Sequence, residues 1–265
     1  SGVPRRDARD PRVVFAPLDA GSRPVTVTWR VLSEDGHAGG GTVAAATGRA
    51  VEGAPAQVRS GDGALPLAAR LLLLLGAVGV LGMAVFGGWV VGAALRTGGV
   101  VAPGHPPDGE AFAGRAAVAL EPARRAWWRA AAAIAGGWAL GLVLQPVALL
   151  WTLRAGAGDL GELLFDTRIG VAWWVQVAAF VVVCATAAAV ARRRAAWRGW
   201  PAPVAACGVA AVAAAVALGA ITWSGHASTG KDRTANMVID WLHNLATGAW
   251  VGGLVGMAVV LPVAA

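Results

Sequence analysis

The chain has 265 residues, 57% of them apolar and only 14% charged, and its mean hydropathy of +0.60 argues against a large soluble core and for a polytopic membrane protein. The net charge of +7 would suit a nucleic-acid partner, but the arginines cluster in short loops between apolar runs, a positive-inside pattern, and no nucleic-acid partner is expected. Cys184 and Cys207 both fall inside apolar runs, where a thiol acts as a small hydrophobe, so no disulfide framework is expected.

Residues 1–48 are polar and lack a helical period. Val25, Val27, Trp29 and Val31 alternate with Thr26, Thr28, Arg30 and Leu32, the mark of a half-buried strand. After the turn-rich Ser33–Gly41 segment, Thr42–Ala46 is expected to return as a second strand, with Val13–Phe15 as a third. In the turn, Asp35 and His37 stand two residues apart. Carboxylate and imidazole at that spacing suit Cu(II) or another borderline divalent ion if a further ligand joins them; a solvated turn with an incidental histidine is the plain alternative. Residues 49–64, rich in Gly, Ala, Pro and charge, read as a linker.

From residue 65 to 265 the chain reads as a helical membrane domain with about five spans, at 65–95, 126–153, 169–191, 203–223 and 236–261. Each meets the roughly 20 apolar residues that a bilayer demands. Arg and Lys number eight in the first and third connections (Arg96, Arg115, Arg124, Arg125; Arg192, Arg193, Arg194, Arg198) and four in the second and fourth (Arg154, Arg168; Lys231, Arg233). This places the N-terminal domain and the start of the fifth span outside a multi-pass cytoplasmic-membrane protein. The second connection, Asp159–Gly170, is expected either as a short amphipathic helix at the outer interface or as a loop. Gln145-Pro146 should bend the second span, and Trp127, Trp128, Trp151, Trp173, Trp174, Trp197 and Trp200 near span ends suit interfacial anchors.

The fifth span carries Asn236, Asp240, His243, Asn244 and Thr247 as one polar stripe on an apolar cylinder. Ionisable groups inside a bilayer are costly and mark function. His226 precedes His243 by seventeen residues across a short polar loop, so both imidazoles are expected near one membrane face. Asp240 is open to three roles: orienting an imidazole, ligating a metal, or neutralising a bound cation. Against these stands simple helix-to-helix hydrogen bonding. Met237 offers a thioether at the outer end of this helix, whereas Met83 and Met257 read as packing residues. Gly248, Gly252 and Gly256 make a smooth face for close helix contact.

The run VTVTWRVLSEDGHAGGG resembles the last strands of the CopC copper-binding β-sandwich family over residues 13–46. The resemblance implies that Asp35 and His37 bind Cu(II) together with a histidine at the mature N-terminus. Ser224-Gly225-His226-Ala227, Leu242-His243 with Ala249-Trp250-Val251-Gly252-Gly253-Leu254, and Leu163–Gly170 resemble the CopD family from residue 65 onward. The fold class expected is thus mainly α, a polytopic helical membrane domain preceded by a partial CopC-like β-sandwich. Members of the CopD family commonly have more spans, and both ends of this chain are expected to be cut.

The functional expectation is a copper-binding transporter or relay serving copper homeostasis or resistance, generally by uptake. His226 and His243 would be its metal residues, with Asp240 supporting, and an extracytoplasmic copper carrier its partner. Bis-histidine haem ligation in an electron-transfer protein and a non-transporting copper sensor or assembly factor are the rivals. No Walker A, G-x-S-x-G, H-E-x-x-H or D-K-T-G run occurs, so neither an enzyme nor an ATP-driven pump is expected.

Overall fold

The structure is a computed structural model that describes residues 5–9, 13–15, 25–32, 38–46, 49–50, 63–92, 109–153, 160–193, 204–228 and 232–264. It divides into two compact units between residues 61 and 62.

In the first unit β1 (Arg5–Arg6) pairs antiparallel with β2 (Val14–Phe15). A second antiparallel sheet has the order β3-β4-β5, from β3 (Val25–Leu32), β4 (Ala38–Ala46) and β5 (Arg49–Ala50). The alternating Val/Thr run therefore forms the strand its period demands, in register with the small-residue strand: Thr28 opposes Thr42 and Trp29 opposes Gly41. A Cβ on Gly41 would lie 2.7 Å from the Trp29 ring, so only glycine lets the indole lie across its neighbour. Val13–Phe15 contributes a strand, but to the other sheet. The described residues show these two small sheets and not the expected partial β-sandwich, and Asp35 and His37 lie outside the described residues.

The second unit is helical: α1 (Ala64–Val85), continued by a π-helical stretch (Phe86–Val91), α2 (Gly109–Leu153), α3 (Leu160–Phe165), α4 (Arg168–Arg192), α5 (Val204–Ser224), a 3-10 turn (His226–Ser228) and α6 (Arg233–Ala264). Among the described residues four helical stretches are long and apolar enough to cross a membrane: Ala64–Val91, Glu121–Leu153, Arg168–Arg192 and Val204–Ser224. The fifth expected span falls on the 32-residue α6, which is not among these four. Asp159–Gly170 resolves in favour of the short helix α3, whose Leu163 is buried while Phe165 stacks on Trp174 at 5.6 Å.

The first apolar helix is the central one, 61% buried against 17 to 33% for the other three. Leu73, Ala77, Val78 and Leu81 of α1 pack with Trp138 and Leu142 of α2, Ala179 of α4, and Ala213, Ala214, Ala217 and Leu218 of α5. Small residues set the helix separations. A Cβ on Gly76 would meet Trp138 at 2.4 Å, and one on Gly252 would meet the Cα of Gly82 at 2.1 Å. The glycine face of α6 is thus a packing face against α1, as its spacing implied.

Pro146 lies inside α2 and has no N–H to give the carbonyl of Leu142, four residues earlier. The indole N–H of Trp173 on α4 donates to that oxygen at 2.8 Å, so a neighbouring helix supplies the bond the proline removed. Trp173 is therefore tied to another helix as well as sited near a span end. Trp127, expected as an interfacial anchor, is instead 6% exposed and stacks on Phe86 at 6.0 Å in a second apolar cluster. Trp197 and Trp200 lie outside the described residues.

Candidate functional site

The polar residues of α6 do not act as one stripe. Asp240 and Asn244, one turn apart, face α5: the hydroxyl of Thr222 donates to Asp240 Oδ2 at 2.6 Å. The Asn244 amide donates to the same oxygen at 3.2 Å and reaches Thr222 Oγ1 at 3.4 Å. Thr222 is only 3% exposed, so this three-residue cluster closes at the helix interface. Asn236 and His243 turn away from it and are exposed, and Thr247 is half-buried. One turn of helix separates Asp240 from Asn244, whereas the 60° offset of Asp240 from His243 lets one face a neighbour and the other look outward.

Trp241 adds a second tie from α6 to α5, its indole N–H donating to the carbonyl of Ala215 at 2.9 Å. With Asp240 beside Thr222 and Trp241 beside Ala215, the two helices run antiparallel. His226 lies beyond the end of α5, on the far side of the Thr222–Asp240 contact from His243, which is about 4.5 Å further along α6 from Asp240 by helical rise. The two histidines thus flank the carboxylate along the bundle axis. His226 is exposed, in a turn whose backbone is fixed by Gly225 N–H to Thr222 O at 3.2 Å and by Ser228, whose N–H and hydroxyl both donate to Gly225 O at 3.2 and 2.7 Å. Ser228 is 2% exposed, which roots the turn in the bundle.

Among the described residues no three His, Cys, Asp or Glu side chains gather into a metal-holding group. His226, His243 and Asp240 are thus not gathered into one such group. Met237 lies on the first turns of α6, partly exposed, one turn before Asp240. Met83 is buried at 4% and packs against Phe86 and Trp127, while Met257 is 42% exposed. Cys184 and Cys207 are free thiols on adjacent helices.

Sequence reasoning missed two elements of the site. Thr222, the donor to Asp240, precedes the Ser224-Gly225-His226 motif by two residues and looks like any small β-branched residue of a span. Arg168 entered as a charge in a loop count and as part of the Leu163–Gly170 resemblance, with no role in the site, yet its Nη2 donates to the carbonyl of Trp223 and its guanidinium carbon lies 5.0 Å from the centre of the Trp223 ring.

The family described as copper resistance protein D-like, N-terminal domain, matches residues 62–236, well over half of the 265. The matched region includes Arg168, Thr222 and His226. The chain is 26% identical over 208 residues to the copper resistance protein D of Pseudomonas syringae pv. tomato, covering 74% of this chain and 56% of that protein. It is 27% identical over 128 residues to the copper transport protein CutJ of Bacillus subtilis (strain 168), covering 48% of this chain and 20% of the relative. The chain thus spans about half the length of one curated relative and a fifth of the other. No solved structure matches it.

Proposed function

The chain belongs to the copper resistance protein D-like family, and on that premise we propose that it binds copper ions and relays them across the cytoplasmic membrane through His226 and His243, with Asp240 between them. A role related to copper at a membrane follows from the family and the apolar helices. The route through these residues is the proposal. The observation that carries it is the Thr222–Asp240–Asn244 cluster, which holds a carboxylate with neutral donors at a helix interface between two exposed imidazoles.

In this reading copper is cargo. An imidazole nitrogen accepts either oxidation state of the ion. His226, in the exposed turn, takes the ion first; His243, deeper on α6, takes it next. Asp240 accepts hydrogen bonds from a hydroxyl and an amide, which orient its carboxylate. It lowers the electrostatic cost of a cation passing between the histidines. Met237, one turn nearer the helix start, is an auxiliary soft ligand. α6 crosses the bilayer in this account, with Asp240 and Asn244 facing α5 and its glycine face packed on α1. The N-terminal unit lies outside, where Asp35 and His37 capture Cu(II) and an extracytoplasmic carrier delivers it.

Purified full chain in detergent, loaded with Cu(II) and then reduced, tests the reading. Stoichiometric copper with imidazole ligation is expected. A Soret band without stoichiometric copper would instead establish haem ligation by the histidines and overturn it.

A further inference from the structure

The turn that carries His226 is held from outside its own helix. Three carbonyls of the last turn of α5 are satisfied locally: Ala220 and Ile221 accept from the Ser224 hydroxyl, at 3.0 and 3.2 Å, and Thr222 from Gly225 N–H. The Trp223 carbonyl lies at the negative end of the helix dipole, and it accepts instead from Arg168 of α4. The guanidinium lies over the Trp223 ring, so one cation grips both the backbone and the side chain of a residue three positions before His226.

Arg168 itself is rigidly presented. Thr167 caps α4 by accepting from Gly170 N–H at 3.0 Å, and its hydroxyl donates back to the Leu163 carbonyl at 2.5 Å. A Cβ on Gly170 would lie 2.4 Å from the carbonyls of both Leu163 and Leu164, so the short helix α3 is pressed directly against the first turn of α4. Ile169 and Gly170 are buried. The corner from Leu163 to Gly170 thus holds the backbone of Arg168 at the start of α4, beside the end of α5.

We infer that Arg168 is a positioning residue: by clamping Trp223 it fixes the Thr222–Ser228 turn, and with it the presentation of the His226 imidazole to copper. The inference rests on His226 being a copper ligand. On one side the clamped residue adjoins Thr222, which binds Asp240, so the same contact ties the carboxylate to the turn. Arg168 does not touch the ion, and its role is read through His226.

The test uses the full chain in detergent with Cu(II) as probe, in a His37→Ala/His105→Ala/His243→Ala background, so that His226 is the one histidine left and the imidazole modulation in pulsed EPR reports it. Arg168→Met keeps the length of the side chain but removes charge and donors. It is expected to weaken Cu(II) binding about tenfold, the scale of a lost charge-assisted hydrogen bond, and to diminish the imidazole modulation. Arg168→Lys, which keeps the charge and a donor, is expected to recover affinity to within about threefold. Equal affinity and equal modulation in Arg168→Met and the Arg168 chain would overturn the inference. Should Arg168→Met fail to fold, Trp223→Leu removes the ring under the guanidinium while leaving the carbonyl; about a threefold loss is expected on the scale of a partly desolvated cation–π contact, and no loss overturns the inference. If the Arg168 chain itself shows no imidazole on Cu(II), the copper role of His226 fails first and the inference falls with it.

Discussion

The Thr222 hydroxyl and the Asp240 carboxylate meet at 2.6 Å between α5 and α6, with Asn244 completing the contact from the next turn of the same helix. A buried hydroxyl on one helix and a half-buried carboxylate on the next form the kind of bond that fixes helix rotation about its own axis. That rotation decides which way His243 looks.

The Thr222–Asp240 bond predicts a measurable coupling. Thr222→Val, which keeps the shape and removes the donor, should destabilise the bundle by about 1 kcal/mol, with a Thr222→Val/Asp240→Asn cycle giving a coupling of the same order. Steric-trap or denaturant unfolding in detergent measures it; strictly additive single effects would show that the contact carries no energy.

The crossing of α1 and α6 predicts a steep position dependence. Gly252→Val should cost about 1 to 3 kcal/mol, because even its first carbon would fall 2.1 Å from Gly82 Cα and the helices must separate. Gly253→Ala, with nothing within 4 Å of the added carbon, should leave the melting temperature unchanged. Equal effects at the two neighbouring positions would contradict the packing.

Pro146 and Trp173 predict a compensating pair. Trp173→Phe leaves the Leu142 carbonyl without its donor and should cost about 1 to 3 kcal/mol. In a Pro146→Ala background the helix regains its own N–H for that carbonyl, so the same substitution should cost measurably less. A Trp173→Phe penalty that is identical in both backgrounds would mean that the indole stabilises the fold through packing alone.

Copper removal gives a fourth prediction. In a His37→Ala background, protein stripped with a chelator and titrated with copper should recover binding when His226 and His243 are intact but lose at least about tenfold in affinity when both are alanine, each imidazole–copper contact being worth more than an ordinary hydrogen bond. Competition with a calibrated copper chelator measures the affinity, and an unchanged value would remove the pair from the site.

Much of the helical architecture is legible in the sequence, since runs such as Leu71–Leu75 and Val181–Val183 can hardly be buried except in a bilayer or a large core. The backbone donor missing at Pro146 is legible too; the bond that replaces it is not, because the donor, Trp173, comes from another helix and its indole reads equally well as an interfacial anchor. Periodicity groups Asp240, His243 and Asn244 on one side of α6 but cannot divide a face, and the division between Asp240 facing α5 and His243 facing outward depends on where Thr222 lies. Arg168 was hidden for a similar reason. A loop arginine reads as topology until its partner, the Trp223 carbonyl at the end of a different helix, is placed beside it.

The most direct test of the central claim is copper flux through the full chain reconstituted in sealed vesicles, comparing the parent with the His226→Ala/His243→Ala chain at equal protein content and orientation. The account predicts time-dependent copper accumulation in the parent and a loss of about tenfold or more in the variant, in keeping with removal of both ligands. Accumulation at the parental rate in a folded variant would contradict passage of copper through these two histidines.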